Sequence, residues 1–224
     1  MGNLVSIRTI GVDVDLTTAE PGASLRLLYK IEPFLALLIA IALAPVLITL
    51  AAVILILSRR SPLVRHRRVG WRGEELGVLK FRTMWPNGPR SGPFFAIENL
   101  PEVDCFLKTE HDERVASRFA TWCRRHSLDE IPQLAHIVCG KMSFVGPRPI
   151  TRAELEAFYA SCATEVLSLR PGLTGLWQVM GRNRLTYWQR RRLDLWLVRR
   201  ASPRLFLALA IRTIPQLFRG TGAY

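Results

Sequence analysis

The chain has 224 residues, of which 49% are hydrophobic, and a formal net charge of +13. This length allows one large domain, or a modest domain joined to a membrane segment, and the hydrophobic content makes the second option worth testing. The four cysteines are scattered along the chain, which excludes the dense, paired pattern of a disulfide-stapled secreted domain.

The N-terminal part divides into a polar tail and an apolar segment. Residues 1–28 show no strong hydrophobic period, and we predict a flexible tail there. Residues 34–57 contain no charged residue and would extend about 36 Å as a helix. We therefore predict a membrane-embedded helix over residues 29–58. Five closely spaced arginines follow it, which places residues 59–224 in the cytoplasm by the positive-inside tendency.

Pro45 lies near the middle of the apolar segment. Its missing N–H and its ring kink a helix, so the segment either spans the membrane once or turns back as a re-entrant hairpin. Hydropathy and the weakly charged tail favour a single span with the N-terminus outside. The residues alone leave both topologies open.

Several further elements are predicted along the rest of the chain. Two strand-like runs flank RGEEL and predict a β-hairpin at the membrane surface. Thr151 with Glu154 forms a capping-box pattern, and the apolar spacing predicts one amphipathic helix over Arg152–Leu169. Tyr187–Arg200 mixes tryptophans with arginines, as helices at lipid headgroups do, and LFLALAIRTIPQLF is apolar but too short to span. A solvated basic face on an ordinary core explains these last two segments equally well.

The positive charge is concentrated in the C-terminal half. From Arg114 onward there are 18 Lys or Arg against 6 Asp or Glu, which accounts for +12 of the total. Such a surface attracts nucleic acid, an anionic membrane leaflet or a polyphosphate substrate, and the sign of the charge does not choose among them.

Asp129 and Glu130 stand side by side in the run SLDEIPQL. Pro132 is tolerated only in the first turn of a helix, so the helix begins between Ser127 and Ile131 and both acids lie at its positive end. Ionised carboxylates there are suited to bind Mg²⁺, and one of them to attack phosphorus. The alternative is structural, because Ser127 with Glu130 also fits the capping-box pattern S-x-x-E.

Basic residues and glycines near the acids are candidate phosphate ligands. Arg148 stands between Pro147 and Pro149, which favours a rigid two-pronged clamp, although a paired arginine in a turn has the same pattern. The glycines of RPGLTGLWQVMGR allow close backbone approach to an anion, but the run is neither a P-loop nor a dinucleotide fingerprint. The predicted phosphate and substrate contacts are Lys80, Arg82, Arg124, Arg148, Arg170, Gly175, Gln178 and Arg182.

Two cysteine–histidine pairs have the spacing of zinc ligands. They are Cys123 with His126, and His136 with Cys139. Buried reduced thiols and a solvated histidine are the favoured interpretation.

Four ordered runs resemble the motifs of the monotopic phosphoglycosyl transferases, the bacterial sugar transferases that begin exopolysaccharide and related glycan assembly. These runs are KFRTM, SLDEIPQL, GKMSFVGPRP and RPGLTGLWQVMGRN, and the resemblance covers about Lys30 to Tyr224. It implies an α+β, mainly helical fold with a small β-hairpin and amphipathic interfacial helices around a cytoplasmic catalytic core. It also implies a re-entrant helix broken at Pro45, and we adopt that topology over the single span.

The activity implied by the resemblance is transfer of a sugar 1-phosphate from a UDP-sugar to undecaprenyl phosphate, with release of UMP. UDP-galactose and UDP-glucose are candidate donors. Asp129 would form an aspartyl phosphosugar intermediate, while Glu130, with Asp129, positions Mg²⁺ or the acceptor. The implied location is the cytoplasmic face of the bacterial inner membrane, with anionic lipids, a second copy of the chain and downstream glycosyltransferases as candidate partners.

Two other hypotheses are a membrane-tethered nucleic-acid-binding protein and a non-catalytic scaffold. The first is disfavoured because no nucleic-acid-binding module is visible, and we predict no nucleic acid as partner. The sequence also departs from the family pattern in places: Ala44 stands where Ser commonly precedes the proline, and His136 replaces the usual Asn. The run YKIEP keeps Lys30 but lacks the expected acid, which predicts weaker anchoring of the membrane helix.

Overall fold

The structure is a computed structural model that describes residues 22–85, 97–100, 117–181 and 184–219, without the side chains of 98–100 and 217–219. This part of the chain is mainly helical and contains two small β-sheets, so the α+β prediction is confirmed. The α-helices are α1 (Ala23–Ser58), α2 (Arg118–Arg125), α3 (Leu134–Val138), α4 (Arg152–Glu154), α5 (Ala163–Val166), α6 (Leu176–Met180), α7 (Tyr187–Arg199) and α8 (Pro203–Arg219). The strands are β1 (Leu63–Val69), β2 (Glu75–Phe81), β3 (Glu98–Leu100), β4 (Ser143–Val145) and β5 (Gly172–Thr174).

Helix α1 is 36 residues long, and its length and composition would allow it to cross a membrane. Only 11% of its most apolar window is buried, unlike the core helix of a soluble protein, which indicates membrane association. The helix begins at Ala23, so the predicted tail is wrong for residues 23–28. Leu25 and Tyr29 are buried against the globular part, and this tertiary contact extends the helix beyond its apolar pattern. Residues 1–21 lie outside the described residues.

Pro33 and Pro45 both lie inside α1 without ending it. The hydroxyl of Thr49 donates a hydrogen bond to the carbonyl of Pro45 at 2.8 Å, a contact of the kind that bends helices slightly. Because α1 runs from Ala23 to Ser58, helical structure is continuous across Pro45. The re-entrant topology stays a prediction.

The predicted β-hairpin is confirmed. Strands β1 and β2 pair antiparallel from Leu63 opposite Phe81 to Val69 opposite Glu75, and β3 pairs in parallel with β1. The turn needs left-handed backbone, which Arg72 adopts with φ 54° and Gly73 with φ 77°. Strand β2 carries Lys80, whose side chain reaches Glu130 of the acid pair.

The predicted helix over Arg152–Leu169 is only partly correct. Its capping box is present, because the Thr151 hydroxyl accepts from the Glu154 N–H and the Glu154 carboxylate accepts from the Thr151 N–H. After α4, however, the chain forms a π-helical turn, a 3₁₀ turn and then α5, which ends at Val166. The π turn carries Tyr159, whose hydroxyl donates to Asp194 at 2.9 Å. A π-helical turn of this kind interrupts the regular α-helix and changes the direction of the side chains that it carries.

Four hydrophobic clusters form the core of the described residues, and three of them include side chains from α1. The α1 residues concerned are Leu25 and Tyr29 in one cluster, Ala36 in a second, and Leu50 and Ile54 in a third. The apolar helix is thus packed on the globular part near both of its ends and in its N-terminal half.

Helices α7 and α8 confirm the two C-terminal helices expected from the sequence. On α7 the polar residues Arg190 and Asp194 are buried, while Trp188 and Trp196 are 55% and 41% exposed. Helix α8 leaves Leu207 among its exposed apolar side chains. Contact of these surfaces with a membrane stays a prediction.

Candidate active site

The acid pair lies in a short 3₁₀ helix, Leu128–Gln133, which begins within the predicted limits and packs against β2. Ser127 precedes it in a left-handed conformation, with φ 56°, and its side chain makes no capping hydrogen bond. The capping-box alternative is therefore wrong. The left-handed residue turns the chain so that the Glu130 carboxylate points toward cationic side chains and away from the helix start.

Glu130 is held by two cations. Its Oε1 atom accepts from Lys80 Nζ at 2.7 Å and from Arg148 Nη2 at 2.9 Å, and its side chain is only 15% exposed. Burial alone would raise the pKa of Glu130, but the charges of Arg148 and Lys80 hold that pKa well below its usual range. Glu130 is therefore ionised at physiological pH.

Asp129 is half-buried and makes no side-chain hydrogen bond with the residues that the structure describes. Burial raises the pKa of Asp129 to about 6, against the charge of Lys80, and the neighbouring charge of Glu130 adds to the rise. The two adjacent carboxylates thus have pKa values pushed apart by their surroundings, a pattern typical of acids with different chemical roles. Asp129 is ionised above about pH 6, and its carboxylate has no protein hydrogen-bond partner among those residues.

Both acids line a cavity of about 1190 Å³. Five of the predicted contact residues line the same cavity: Lys80, Arg82, Arg124, Arg148 and Gln178. Its apolar wall comes from side chains of α1 and α8, including Leu35, Leu43, Phe206 and Ile211. The cavity therefore joins an anion-binding end to an apolar end.

Arg124 and Arg82 differ in how the protein already uses them. Arg82 is 3% exposed and donates from Nε to the carbonyl of Ser61 at 2.8 Å, so it also supports the hairpin. Arg124, on α2, is half-buried and lowers the pKa of Asp129 by its charge. Among the described residues no hydrogen-bond partner or carboxylate pairs with Arg124, which leaves it available to an anion.

Arg170 does not line the cavity. Its guanidinium lies 4.6 Å from the ring centroid of Tyr29 and 5.3 Å from that of Trp71, and it donates to the Tyr29 carbonyl at 3.3 Å. The predicted substrate contact at Arg170 is therefore not found. The side chain instead holds the N-terminal part of α1, because cation–π contacts with both rings fix it there.

Gly175 is required for the packing of two backbone segments. A Cβ atom at this position would lie 2.7 Å from the carbonyl oxygen of Gly146, so glycine is required for the approach of two backbones. The predicted contact at Gly175 is not found in the cavity lining. Arg182 lies outside the described residues.

Glu32 of α1 is a site residue that sequence reasoning missed. It is 3% exposed, and its Oε1 accepts from the Ser143 hydroxyl at 2.8 Å and the Phe144 N–H at 3.3 Å. The expected loss of an anchoring acid is therefore wrong, since the acid stands two residues after Lys30. The signal that could have found Glu32 is its charge, because it stands in the run YKIEP directly before the apolar segment.

The acid pair fits a magnesium ion. Magnesium is commonly held by one or two carboxylates together with waters and substrate phosphates, and two adjacent carboxylates that line one cavity meet that requirement. Among the described residues neither oxygen of Asp129 has a protein hydrogen bond, which leaves ligand positions for a hard cation. No group of three or more His, Cys, Asp or Glu residues in this part of the chain is placed to hold a metal alone.

The zinc alternative finds no support in the described residues. His136 Nε2 accepts a hydrogen bond from the Leu79 N–H at 3.0 Å, which uses the ring nitrogen that a metal would need. Cys123 is buried in an apolar cluster and Cys139 is exposed. Both pairs have structural explanations.

Residues 27–220 match the family model described as bacterial sugar transferase. The chain is 39% identical to an exopolysaccharide production protein, ExoY, of Sinorhizobium fredii over 196 residues, covering 86% of each protein. It is 32% identical, over 96% of its own length and 80% of the relative's, to a UDP-glucose:undecaprenyl-phosphate glucose-1-phosphate transferase of Caulobacter vibrioides.

An undecaprenyl-phosphate galactose phosphotransferase of Salmonella typhimurium is 37% identical over 163 residues. That match covers 71% of this chain but 34% of the larger relative. With an acid pair and several cationic side chains lining one cavity, and with a family model that spans nearly all its length, the chain belongs to the bacterial sugar transferase family and is a phosphoglycosyl transferase.

Proposed function

We propose that this protein transfers a sugar 1-phosphate from a UDP-sugar to undecaprenyl phosphate, through a covalent intermediate on Asp129, in exopolysaccharide or related glycan synthesis. The names of its relatives support the substrates. The observation that carries the mechanism is the contrast within the acid pair: Glu130 is bound to two cations, while Asp129 has no protein partner among the described residues.

In the first half-reaction an oxygen of Asp129 attacks the sugar-bearing phosphorus of the donor. A phosphorus–oxygen bond forms to the carboxylate, the bond to the bridging oxygen breaks, and UMP leaves with that electron pair. Asp129 and Glu130 would hold a magnesium ion, which would supply positive charge to offset the charge of the diphosphate. Arg124 lines the cavity near Asp129 and has no anionic partner in the described chain, so it is placed to stabilise negative charge there.

In the second half-reaction a phosphate oxygen of undecaprenyl phosphate attacks the same phosphorus. The aspartyl bond breaks, the Asp129 carboxylate is released, and the product is an undecaprenyl diphosphate sugar. The acceptor is already an anion at neutral pH, so this step needs no general base. Lys80 and Arg148 keep Glu130 ionised and fixed through both steps, which preserves the field around Asp129.

The apolar wall of the cavity supports a lipid acceptor. Side chains of α1 and α8 line one cavity with the acid pair, so a polyprenyl chain along these helices would bring its phosphate toward Asp129. The exposed apolar residues of both helices support contact with the bilayer. Exposed Trp188 and Trp196, close to several arginines of α7, support contact with anionic headgroups.

The packing of α1 supports a re-entrant arrangement with both ends at the cytoplasmic face of the inner membrane. Leu25 and Tyr29 pack in one cluster of the globular part, and Leu50 and Ile54 pack in another. A helix that crossed the bilayer would place its two ends on opposite sides, where a single globular part could not contact both. Membrane-impermeant labelling of a cysteine at position 10, with the exposed Cys139 replaced by Ser, tests this: labelling from outside intact cells rejects it.

The decisive experiment is to trap the intermediate. Purified protein in nanodiscs is mixed with Mg²⁺ and each of a set of UDP-sugars, without acceptor, and the intact mass is measured alongside UMP release. We expect a sugar-phosphate adduct on Asp129 that is absent from Asp129→Asn, with UDP-galactose and UDP-glucose as the first donors to test. Glu156→Gln, which removes an exposed acid, is the matched control and should retain the adduct. Full turnover in Asp129→Asn would reject the assigned nucleophile.

A further inference from the structure

Arg190 of α7 is buried in the cavity wall without an anionic partner among the described residues. It is 8% exposed and lines the same cavity as the acid pair. No ion pair or hydrogen bond to its side chain is found in this part of the chain, and its Nε–H is enclosed without an acceptor. A buried arginine is normally paired, because the loss of hydration around its charge is costly when no anion replaces it.

The immediate neighbours of Arg190 are aromatic. Its guanidinium lies 4.7 Å from the ring centroid of Trp177 and 5.0 Å from that of Tyr187. Cation–π contacts of this kind offset part of the desolvation and fix the plane of the guanidinium. Trp177 Nε1 is a second enclosed N–H donor that finds no acceptor among the described residues. Two donors without acceptors therefore lie beside each other on one wall of the cavity.

This wall is connected to the acid pair. The guanidinium of Arg148, which binds Glu130, lies 5.8 Å from the centroid of the same Trp177 ring. Arg148 and Arg190 are thus both neighbours of the same Trp177 ring. An anion bound at Arg190 would occupy the same cavity as the group that reacts at Asp129.

We propose that Arg190 and the indole N–H of Trp177 form a second phosphate-binding subsite, which takes a phosphate group of one of the two substrates. Phosphate oxygens are the acceptors that a fixed guanidinium and an adjacent N–H recognise best. The inference rests on the proposed function for the identity of the phosphate, which belongs either to the nucleotide or to the lipid acceptor. It does not rest on Asp129 being the nucleophile.

A structural role for Arg190 is the competing explanation. Asp194 lies one helical turn away and is fully buried, with Oδ2 bonded to Tyr159 and Oδ1 without a partner among the described residues. Burial raises the pKa of Asp194 to about 8 against the opposing charge of Arg190, and the two side chains form no ion pair. If charge compensation were the role of Arg190, Asp194→Asn would restore whatever Arg190→Gln removes.

Binding measurements separate these explanations. Titration of UMP, and separately of farnesyl phosphate as a short lipid phosphate, into Asp129→Asn protein in nanodiscs reports phosphate binding without turnover. We expect Arg190→Gln in this background to weaken one of the two ligands at least tenfold, Arg190→Lys to recover part of the loss, and Arg192→Gln, at an exposed position on the same helix, to change neither. Loss for UMP assigns the subsite to the nucleotide, and loss for farnesyl phosphate assigns it to the lipid.

Three outcomes would overturn the proposal. These are unchanged affinity for both phosphates in Arg190→Gln, an equal loss in Arg192→Gln, and recovery of affinity by Asp194→Asn. A thermal unfolding curve of each variant confirms that it is folded. Failure of the proposed function gives a different result. In that case no UDP-sugar forms an adduct on Asp129, but phosphate binding still depends on Arg190.

Discussion

Lys80 Nζ lies 2.7 Å from Glu130 Oε1, so a side chain of the hairpin forms an ion pair with one acid of the pair, while Asp129 has no such contact with any described residue. Lys80 also lowers the pKa of Asp129, against the larger effect of burial. The hairpin therefore lowers the pKa of a residue 49 positions further along the chain, although burial has the larger effect.

Replacing Lys80 by Met should raise the pKa of Asp129 above about 6. Because the attacking carboxylate must be ionised, the acid limb of kcat/KM for the donor should move to higher pH, and a rise of that pKa to about 7 should lower the rate at pH 6.5 roughly threefold. Initial rates of UMP release between pH 5 and 8.5 measure this. Arg67→Gln, on the exposed face of the hairpin, should leave the limb in place; an equal displacement there would contradict the assignment.

Asp129→Asn should stabilise the fold at alkaline pH. The pKa of Asp129 is raised from 3.8 to about 6 on folding, so its contribution to stability is greatest below pH 4 and is lost as pH rises through 6. Removing the charge should raise the free energy of unfolding at pH 8 by about 1–2 kcal/mol. Denaturant unfolding at pH 8 and pH 4.5 measures it. The difference between the two proteins should shrink at the lower pH, and a constant difference would contradict this origin.

The contact between Glu32 and Ser143 should couple the apolar helix to β4. A double-mutant cycle with Glu32→Met and Ser143→Ala should give a coupling energy of about 1–3 kcal/mol, because each single change leaves a buried polar group without its partner. Unfolding in matched detergent micelles supplies the four values. Equal costs of Ser143→Ala in the two backgrounds would show that the hydrogen bond contributes nothing.

Gly146→Ala should unfold the region that presents Arg148. A Cβ atom at Gly146 would overlap the carbonyl oxygen of Arg170 and lie 2.8 Å from the backbone nitrogen of Gly172, where β4 and β5 pair. The two strands cannot move apart without breaking the hydrogen bonds between them. We therefore expect the free energy of unfolding to fall by about 3 kcal/mol or more. Thermal unfolding tests it, with Gly22→Ala as control because no atom of the other described residues lies within 4 Å of its Cβ position.

Ser127→Ala should be nearly neutral, since the side chain caps nothing. Ser127→Gly should be neutral or stabilising, by up to about 1 kcal/mol, because glycine adopts the left-handed conformation freely. Thr186→Ala is the positive control: its capping box is present and its loss should cost about 1 kcal/mol. Unfolding free energies compare the three. A cost for Ser127→Ala equal to that for Thr186→Ala would restore the capping interpretation.

Local signals in the sequence predicted the local structure well. The hairpin around RGEEL, the Thr151 capping box and the start of the helix at the acid pair all depend on neighbouring residues and are all confirmed. The chance pattern of Ser127 with Glu130 misled, because the S-x-x-E spacing says nothing about a left-handed φ at its first residue.

Contacts between distant residues were the ones that sequence reasoning missed. Arg170 was predicted at a phosphate, but it packs on Tyr29, which lies 141 positions earlier in the chain. The π turn likewise carries Tyr159, whose hydroxyl donates a hydrogen bond to Asp194, 35 positions away. No periodicity within one segment encodes such partners, and only the folded chain brings them together.

The packing of α1 has a consequence for how this enzyme can be made and studied. Since three of the four apolar clusters among the described residues draw side chains from this helix, a fragment starting at residue 59 would expose the interior of the catalytic part to water. One side of the helix thus contributes to the core of the enzyme, while its exposed apolar side indicates membrane association. Deleting the helix to obtain a soluble protein would remove side chains that line the candidate active site. A preparation of the full chain should therefore include detergent or lipid to cover the exposed apolar side of α1.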